Sequence, residues 1–148
     1  MTPYDMIKSH LDQAVPFAKH VGVVLQEIGD GTASAMLEQR SEIENHIQTQ
    51  HAGAMFTLGE AASGAAMAGA LAPIILGLRP VARNAKITYK KIAKGTLTAH
   101  AACDQPGQAL QDALKAEGKA DFEVKVDIRD AEDETVVEMA VTWHVRSA

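Results

Sequence analysis

Cysteine is nearly absent from this sequence. The 148 residues include one, Cys103, so the chain cannot form an internal disulfide bond. A single thiol is compatible with a reducing compartment, and we expect a cytoplasmic location. A lone cysteine usually serves as a small apolar filler in a protein core. Cys103 is therefore a weak candidate for a catalytic nucleophile.

Metal-ligand spacing is missing as well. Four of the six histidines are scattered through the chain. His46 and His51 lie five residues apart, with Gln48 and Gln50 between them and no third ligand close by. Zinc sites in proteins use three or four protein ligands in a compact array. We therefore expect no metal ion.

An excess of positive charge, which is typical of nucleic-acid-binding proteins, is lacking, since the formal net charge is −5. The N-terminal stretch MTPYDMIKSH is polar and mixed in charge, unlike a secretory signal. Residues 61–78 contain no charged residue and are long enough to suggest a membrane span. They are mostly alanine and glycine and include Pro73, so they predict a buried helix followed by a turn. We expect neither a nucleic-acid nor a membrane partner.

A segment of small apolar residues, 45–71, organises the rest of the chain. Glu60 is the only charged residue between Gly53 and Leu71, where alanine and glycine occupy most positions. A helix that is apolar all round is a buried helix, and one made of alanine and glycine lets other backbone approach closely. A buried carboxylate is costly unless it is paired, hydrogen-bonded or functional. Glu60 therefore either lies on a narrow exposed edge of a core helix or takes part in function.

The start of this predicted helix is polar. Residues 51–53 (His-Ala-Gly) lie where the helix would begin, with Thr49 or Gln50 near its N-cap. The free N–H groups of a first helical turn attract negative charge and can hold a developing oxyanion. Glu60 lies two turns further on, roughly 10–12 Å along the axis. The two groups would therefore meet across a subunit boundary or serve opposite sides of a bound acyl group.

The residues before the central segment predict a helix and a hairpin. Residues 3–20 repeat apolar side chains every three or four positions, which is typical of an amphipathic helix. Pro16 is expected to kink or shorten this helix. Residues 21–28 and 32–39 have the composition of two strands, and residues 29–31 (Gly-Asp-Gly) are typical of the turn between them.

The second half of the chain predicts strands around the central helix, which we expect over about residues 52–72. Residues 87–101 alternate apolar and polar side chains with a slip at 91–95, which indicates a bulge or kink. Residues 105–118 predict a loop with a short helical part. Residues 122–145 alternate strictly on both sides of a polar turn, which is typical of a hairpin with one buried face. This order of elements favours an α+β fold, with an antiparallel sheet wrapped around the central helix.

The residues at the helix start resemble the active segment of hotdog-fold thioesterases. Asn45, then His51-Ala52-Gly53, then Glu60 nine residues after the histidine are similar to the pattern of the PaaI-like branch and of DUF4442-like small hotdog proteins. That pattern is an Asn, His-Gly-Gly, and an Asp or Glu nine residues after the His. Ala52 stands where the first glycine of this pattern is usual, and its methyl group narrows the space beside the helix start. The resemblance implies a single hotdog domain over residues 1–148 that forms homodimers or dimers of dimers, with active sites at the dimer interface.

The resemblance also implies an acyl-CoA thioesterase, which hydrolyses the thioester of an acyl- or aryl-CoA. Coenzyme A would be part of the substrate, and no further cofactor is implied. The Ala52 and Gly53 N–H groups would hold the oxyanion, and Glu60 would act as general base or nucleophile. Asn45 and His51 would position the loop, the water or the thioester.

Six lysines and arginines lie between Arg79 and Lys94, and no acidic residue falls between Arg79 and Cys103. Such cations either solvate a strand edge and discourage edge-to-edge association, or bind phosphate groups such as those of coenzyme A. Two hydroxyl residues near Glu60 on the central helix are further candidates for supporting the site. The candidate substrate- and CoA-binding residues are therefore Arg83, Lys86, Lys90, Thr57 and Ser63.

Two other functions remain open from the sequence. His46 precedes Glu60 by fourteen residues, a spacing that resembles acyl-thioester hydratases and dehydratases, although their proline-rich loop is absent. The chain could also be a non-catalytic acyl-CoA-binding module. The surroundings of Glu60 distinguish these functions, since a catalytic acid should border a pocket with a raised pKa and a structural one should be tied to a lysine or arginine.

Overall fold

The computed structural model of this chain describes residues 2–148, which form four α-helices and one six-stranded sheet. The helices are α1 (Pro3–Ala14), α2 (Pro16–Val21), α3 (Ala52–Ala70) and α4 (Gly107–Glu117). The strands are β1 (Val24–Ile28), β2 (Thr32–Leu37), β3 (Leu78–Tyr89), β4 (Leu97–Cys103), β5 (Lys119–Arg129) and β6 (Thr135–Ser147). Their order is β1-β2-β4-β5-β6-β3, and every neighbouring pair is antiparallel. The sheet wraps around α3, as the sequence predicts.

Helix α3 is the long buried helix expected near residues 52–72. Thirteen of its nineteen residues are buried. It ends at Ala70, two residues short of the prediction, because the chain turns at Leu71 ahead of Pro73. Its glycines allow close packing: a Cβ at Gly59 would lie 2.5 Å from Met139 Sδ on β6, and one at Gly69 would overlap the Gly29 carbonyl oxygen.

The hairpin predicted over residues 122–145 is strands β5 and β6, and its buried face packs against α3. Phe122 lies opposite Trp143, and Val124 lies opposite Val141, with all four side chains buried. The alternate residues of both strands are more exposed. The period of two therefore identified the inner face of the sheet correctly.

The segment predicted as one strand over residues 87–101 is two strands that are not neighbours. β3 begins at Leu78 and forms an edge of the sheet beside β6, whereas β4 begins at Leu97 and pairs with β2 and β5. The slip in the alternation is the crossover between them rather than a bulge. Ala93 in this crossover is buried, and its carbonyl accepts the Gln50 N–H, which draws the connection against the start of α3.

The helix predicted over residues 3–20 is broken into α1 and α2. Val15 has a non-helical backbone (φ −113°, ψ 88°), because a proline disfavours helical geometry at the residue before it, here Pro16. Helix α2 is anchored, since two of its residues are buried and the Arg40 guanidinium donates to the carbonyl oxygens of its last two residues. Helix α1 has no buried residue.

Two further boundaries differ from the sequence prediction. The first strand begins at Val24 rather than residue 21, because Gly22 closes α2 in the left-handed conformation (φ 107°). The short helical part predicted within residues 105–118 is longer than expected, since α4 has eleven residues and buries Leu110 and Leu114. Among residues 2–148, no helix combines the length and the apolarity needed to cross a membrane.

Candidate active site

The side chain of Glu60 lies on the wall of a cavity of about 200 Å³ between α3 and the two N-terminal helices. Strands β3 and β6 close another side through Pro80 and Trp143. The lining is apolar except for Glu60, Asp12 and Lys19. Asp12 and Lys19 each have a polar partner on α1. Within residues 2–148, Glu60 is thus the one charged group of this lining without a polar partner.

Burial is the dominant influence on the charge of Glu60. Its carboxylate makes no ion pair and no hydrogen bond within residues 2–148, and burial raises its pKa above the ordinary value of 4.5. Removal from water disfavours the charged form of a carboxyl, and no neighbouring cation restores it. This is the environment expected of a functional acid rather than of a structural one.

The N-cap of α3 is His51, not Thr49 or Gln50, which are both buried in the preceding loop. His51 Nδ1 accepts a hydrogen bond of 2.8 Å from the Gly53 N–H. An accepting ring nitrogen carries no proton, so the hydrogen bond assigns the proton of a neutral imidazole to Nε2. The absence of a side chain at Gly53 leaves room for the ring, because a Cβ there would lie 3.1 Å from Nδ1.

This cap changes the expected set of oxyanion donors. The Gly53 N–H, one of the two predicted donors, is already bonded to His51. The Ala52 N–H has no acceptor among residues 2–148, and Ala52 is exposed. In this conformation the helix start therefore offers a ligand the N–H of Ala52, and it offers that of Gly53 only if the imidazole turns away.

The side chain of Asn45 holds the loop before α3 in shape. Its Oδ1 accepts from the N–H groups of Ile47 (3.1 Å) and Thr49 (2.9 Å). Its Nδ2 donates to Thr49 Oγ1 (2.7 Å) and to the Gln50 carbonyl (3.3 Å). These bonds occupy both the oxygen and the nitrogen of the amide. Asn45 therefore positions the loop, and its amide is not free to bind water or the thioester in this conformation.

The hydroxyls of Thr57 and Ser63 are both engaged with the backbone of α3. Thr57 Oγ1 donates to the Gly53 carbonyl (2.9 Å), and Ser63 Oγ donates to the Glu60 carbonyl (2.7 Å). Both residues are buried, and neither lines the Glu60 cavity. In this conformation neither hydroxyl is open to the Glu60 cavity, so the predicted role of Thr57 and Ser63 in binding substrate stays a prediction. Ser63 instead accepts the indole N–H of Trp143 (3.0 Å), which fixes that ring.

The three cations predicted to bind CoA phosphates lie away from Glu60. Lys86 pairs with Ala140 and lines a groove on the outer face of the sheet, opposite α3. Arg83 forms an ion pair of 2.7 Å with Asp121, and Lys90 forms one of 2.7 Å with Glu138. These acids lie on β5 and β6, so the cation cluster that looks unneutralised in the sequence is partly neutralised in the fold.

A second, shallower cavity of about 320 Å³ lies at the start of α3. Asn45, Ala52 and Tyr89 line it, and the Tyr89 hydroxyl donates to the Ala52 carbonyl (3.0 Å). His46 is exposed on the neighbouring loop and lines neither this cavity nor that of Glu60. The helix start and Glu60 thus belong to separate cavities on one protomer, which is consistent with the 10–12 Å separation expected along the helix.

Tyr89 and Trp143 also line the candidate cavities, although the sequence does not mark either of them as a candidate. Both lie at inward positions of alternating strands, and Trp143 is the only tryptophan of the chain. The alternation marked them as core residues, and only the strand order shows that β3 and β6 bring them to the helix.

The Cys103 thiol and the histidines are the other groups that could act as a nucleophile or as metal ligands. Burial, reinforced by Asp104 and Asp30, raises the pKa of the Cys103 thiol to about 12, so it is not an activated nucleophile. Within residues 2–148, no three His, Cys, Asp or Glu side chains lie close enough to hold a metal ion.

An antiparallel sheet wrapped around one long helix is the hotdog fold, and solved structures of thioesterase-like proteins share this fold with the chain. The chain belongs to the family described as Domain of unknown function (DUF4442), whose model matches residues 5–145. No curated protein sequence matches it.

Solved structures share the fold at low sequence identity. A protein of unknown function from Pseudomonas aeruginosa, described as a probable thioesterase, has a TM-score of 0.85 at 23% identity and covers 99% of this chain and 97% of its own. The PaaI protein of the phenylacetic acid degradation operon of E. coli has a TM-score of 0.78 at 20% identity, covering 99% and 94%. A hypothetical thioesterase from Streptococcus pneumoniae, solved with coenzyme A, has a TM-score of 0.71 at 22% identity, covering 94% and 96%. At these identities the likeness shows the fold.

Proposed function

We propose that this chain is an acyl-CoA thioesterase, which hydrolyses the thioester of an acyl- or aryl-CoA. The observation that carries the proposal is Glu60, an unpaired and half-buried acid on the wall of an apolar cavity. A carboxylate kept partly out of water without a partner lowers stability, and functional sites are where such costs concentrate. The coenzyme A in the Streptococcus pneumoniae structure and the thioesterase description of the Pseudomonas aeruginosa structure agree with this proposal.

In the proposed reaction, the Glu60 carboxylate takes a proton from a water molecule whose oxygen attacks the thioester carbonyl carbon. The carbonyl electron pair moves onto the oxygen, where the Ala52 N–H stabilises the negative charge. When the intermediate collapses, the C–S bond breaks, and the departing thiolate takes up the proton from Glu60. In the alternative, a Glu60 oxygen attacks the carbonyl carbon directly, and the C–S bond breaks to release the CoA thiolate and leave an anhydride. Water then hydrolyses the anhydride to the free acid and the Glu60 carboxylate, and the thiolate takes up the proton released by water. A raised pKa makes Glu60 a stronger base near neutral pH.

Because the two parts of the machinery lie in separate cavities, the proposal includes a homodimer. The edge strand β3 presents unpaired backbone groups along a largely exposed length. Pro80 and the irregularity between Ala82 and Asn84 interrupt regular pairing in its first half. Residues 84–89 are thus the stretch on which a second copy would add its own β3, so that Glu60 of one copy approaches the helix start of the other. A dimer of dimers is a further proposal of the same kind.

The CoA-binding role of Arg83, Lys86 and Lys90 stays a prediction. Their position on the outer face means that the nucleotide would have to pass around the β3 edge to reach them. The hydratase alternative has less support, because His46 lies outside the Glu60 cavity. Acyl-CoA binding without catalysis remains the alternative that the experiment must separate.

The test is thiol release from a panel of short, medium, long and aryl acyl-CoAs by the wild type, Glu60→Gln and Glu60→Ala. Loss of a general base lowers rates by about 100-fold or more, and we expect at least this loss in both variants with the fold retained. Glu27→Gln, at an exposed position on β1, is the matched control and should keep full activity. Release that persists in the Glu60 variants would remove Glu60 from the mechanism, and no release from any thioester would overturn the proposed function.

A further inference from the structure

We propose that α1 is a hinged lid over the Glu60 cavity and that Leu11 on this helix limits the length of the acyl chain. This inference rests on the function proposed above and adds the substrate class, which is thioesters of apolar acyl chains of medium length. It concerns how the chain is enclosed, whereas the function concerns what happens at its carbonyl.

The chemistry of the lining selects an apolar occupant. Glu60 stands at one end of the stretch of α3 that lines the cavity, and Ala61, Gly64, Ala65 and Met67 continue that stretch. None of these four side chains offers a strong hydrogen-bonding group. Along this stretch of α3, a charged or hydroxylated acyl chain would lose its hydration without compensation, whereas an apolar chain gains from leaving water.

The length of the lining limits the chain. The lining residues of α3 run from Glu60 to Met67, and seven residues of helix rise by roughly 10 Å. With carbon–carbon bonds of about 1.5 Å in a zigzag, this length holds roughly eight carbons. Because the thioester carbonyl must lie beside Glu60, the chain would extend along α3 from that end.

The floor of the cavity is rigid. Gly64 lies so close to the Trp143 ring that a Cβ there would be 3.3 Å from ring atom Cζ2. The Trp143 ring is itself held by its hydrogen bond to the buried Ser63. Helix α3 and strand β6 are therefore tightly packed on this side of the cavity, and the wall with the least burial is the one formed by α1.

Helix α1 is less deeply buried than α2, although its Leu11 packs against the core. Helix α1 buries none of its twelve residues. Its capping box and its Lys8–Asp12 ion pair are internal to the element, and its polar contact with α2 is the exposed bond from Lys19 to Gln13 (2.8 Å). A helix with little buried surface opens at low free-energy cost, and the non-helical Val15 supplies the hinge next to the anchored α2.

The first experiment measures kcat/KM for saturated acyl-CoAs of four to fourteen carbons. Each methylene buried in the cavity should improve KM by about fourfold, so we expect a rise to an optimum near eight carbons and a decline beyond it. Leu11→Ala should move the optimum to longer chains, and Leu11→Phe should move it to shorter ones. Met6→Ala changes an exposed position of the same helix and should leave the profile unchanged.

The opposite shifts expected of the two Leu11 variants separate a change of shape from a loss of folding. A helix that is merely destabilised would flatten the profile in both variants. An optimum that stays at the same length in both variants, with thiol release intact, would overturn the lid while leaving the thioesterase function standing.

A second measurement does not depend on turnover. Trp143 is the only tryptophan of the chain and lines the cavity, so its fluorescence reports occupancy. The probe is S-octyl-coenzyme A, a thioether that cannot be hydrolysed, with coenzyme A alone as the reference. We expect S-octyl-coenzyme A to change the Trp143 emission and coenzyme A to leave it unchanged. S-octyl-coenzyme A should bind more tightly than S-butyl-coenzyme A, and Glu60→Gln should show the same emission change as the wild type. A response without thiol release from any substrate would keep the cavity assignment and reject the hydrolase, and no response would overturn the cavity assignment.

Discussion

The Glu60 carboxylate lies where a protein seldom leaves an unpaired charge. Its pKa is raised because water is excluded, and no neighbouring cation offsets that effect. A folded-state pKa above the unfolded value means that the folded chain holds its proton at pH values where the unfolded chain has released it. The free energy of unfolding therefore falls as pH rises from the ordinary pKa of 4.5 through the raised folded-state pKa.

Glu60→Gln should accordingly stabilise the protein at neutral pH while removing thiol release. The increase in the free energy of unfolding should be present at pH values above the folded-state pKa of Glu60. It should vanish at pH values below the unfolded-state pKa. A gain of about 1 kcal/mol would raise Tm by roughly 2–4 °C for a chain of this size. Thermal unfolding of both forms at pH 4 and pH 7.5 checks this, and a variant less stable than the wild type at pH 7.5 would show that Glu60 is structural.

His51 is the second residue whose role can be isolated. As N-cap of α3 it satisfies the Gly53 N–H, and the loss of such a cap costs about 1 kcal/mol. We expect His51→Ala to lose this amount in denaturant unfolding and His51→Asn, which keeps an acceptor, to lose only a few tenths. If capping is its main contribution, His51→Asn should retain most of the thiol release.

His46→Ala is the control, because His46 is an exposed loop residue that does not cap the helix. An inactive but fully stable His51→Asn would show that the imidazole contacts the thioester or the water, rather than only holding the helix start. That result would also favour the conformation in which the ring leaves Gly53 and frees its N–H.

At the same scale, the sequence suggests those candidate site residues that lie close together along the chain. Asn45, His51 and Glu60 belong to one segment, so their order alone marks them. The partners of the cations were not predictable in this way, because Asp121 and Glu138 reach Arg83 and Lys90 only through pairing between distant strands. Trp143 reaches the Glu60 cavity by the same route.

At the scale of elements, alternation identifies the faces of strands but not their neighbours. The strict alternation of residues 122–145 specifies both the hairpin and its buried face. The weaker pattern of residues 87–101 suits one kinked strand as well as two separate ones, because a crossover also interrupts the period. Residues 78–86 were missed as strand, since an exposed edge strand has little apolar alternation to detect.

The small residues of α3 make a prediction about packing between elements. A Cβ at Gly69 would overlap the Gly29 carbonyl oxygen in the turn between β1 and β2. This oxygen belongs to the backbone, so it cannot move away by a change of side-chain rotamer. Alanine favours a helix over glycine by about 1 kcal/mol, but overpacking typically costs about 1–3 kcal/mol. We therefore expect Gly69→Ala to lower Tm. Gly77→Ala, which adds a Cβ where no atom lies within 4 Å, should leave Tm nearly unchanged.

At the scale of the whole molecule, the proposed thioesterase needs both the helix start and Glu60, which lie in separate cavities of one protomer. If the proposed pairing along β3 joins them, activity and association must be lost together. A lysine at Thr88, an exposed position in the regular part of β3, would place like charges near each other across the new pair. We expect Thr88→Lys to halve the mass measured by light scattering and to abolish thiol release at low protein concentration.

The matched control for Thr88→Lys is Gln26→Lys, an exposed position on β1 at the opposite edge of the sheet. It adds the same charge to an edge that the proposal leaves unpaired, so both mass and activity should stay as in the wild type. Because binding of two copies depends on concentration, the Thr88→Lys variant should regain activity as protein concentration rises. A Thr88→Lys monomer with full activity would mean that a single protomer brings the Ala52 N–H and Glu60 to one thioester, which their separation along α3 argues against.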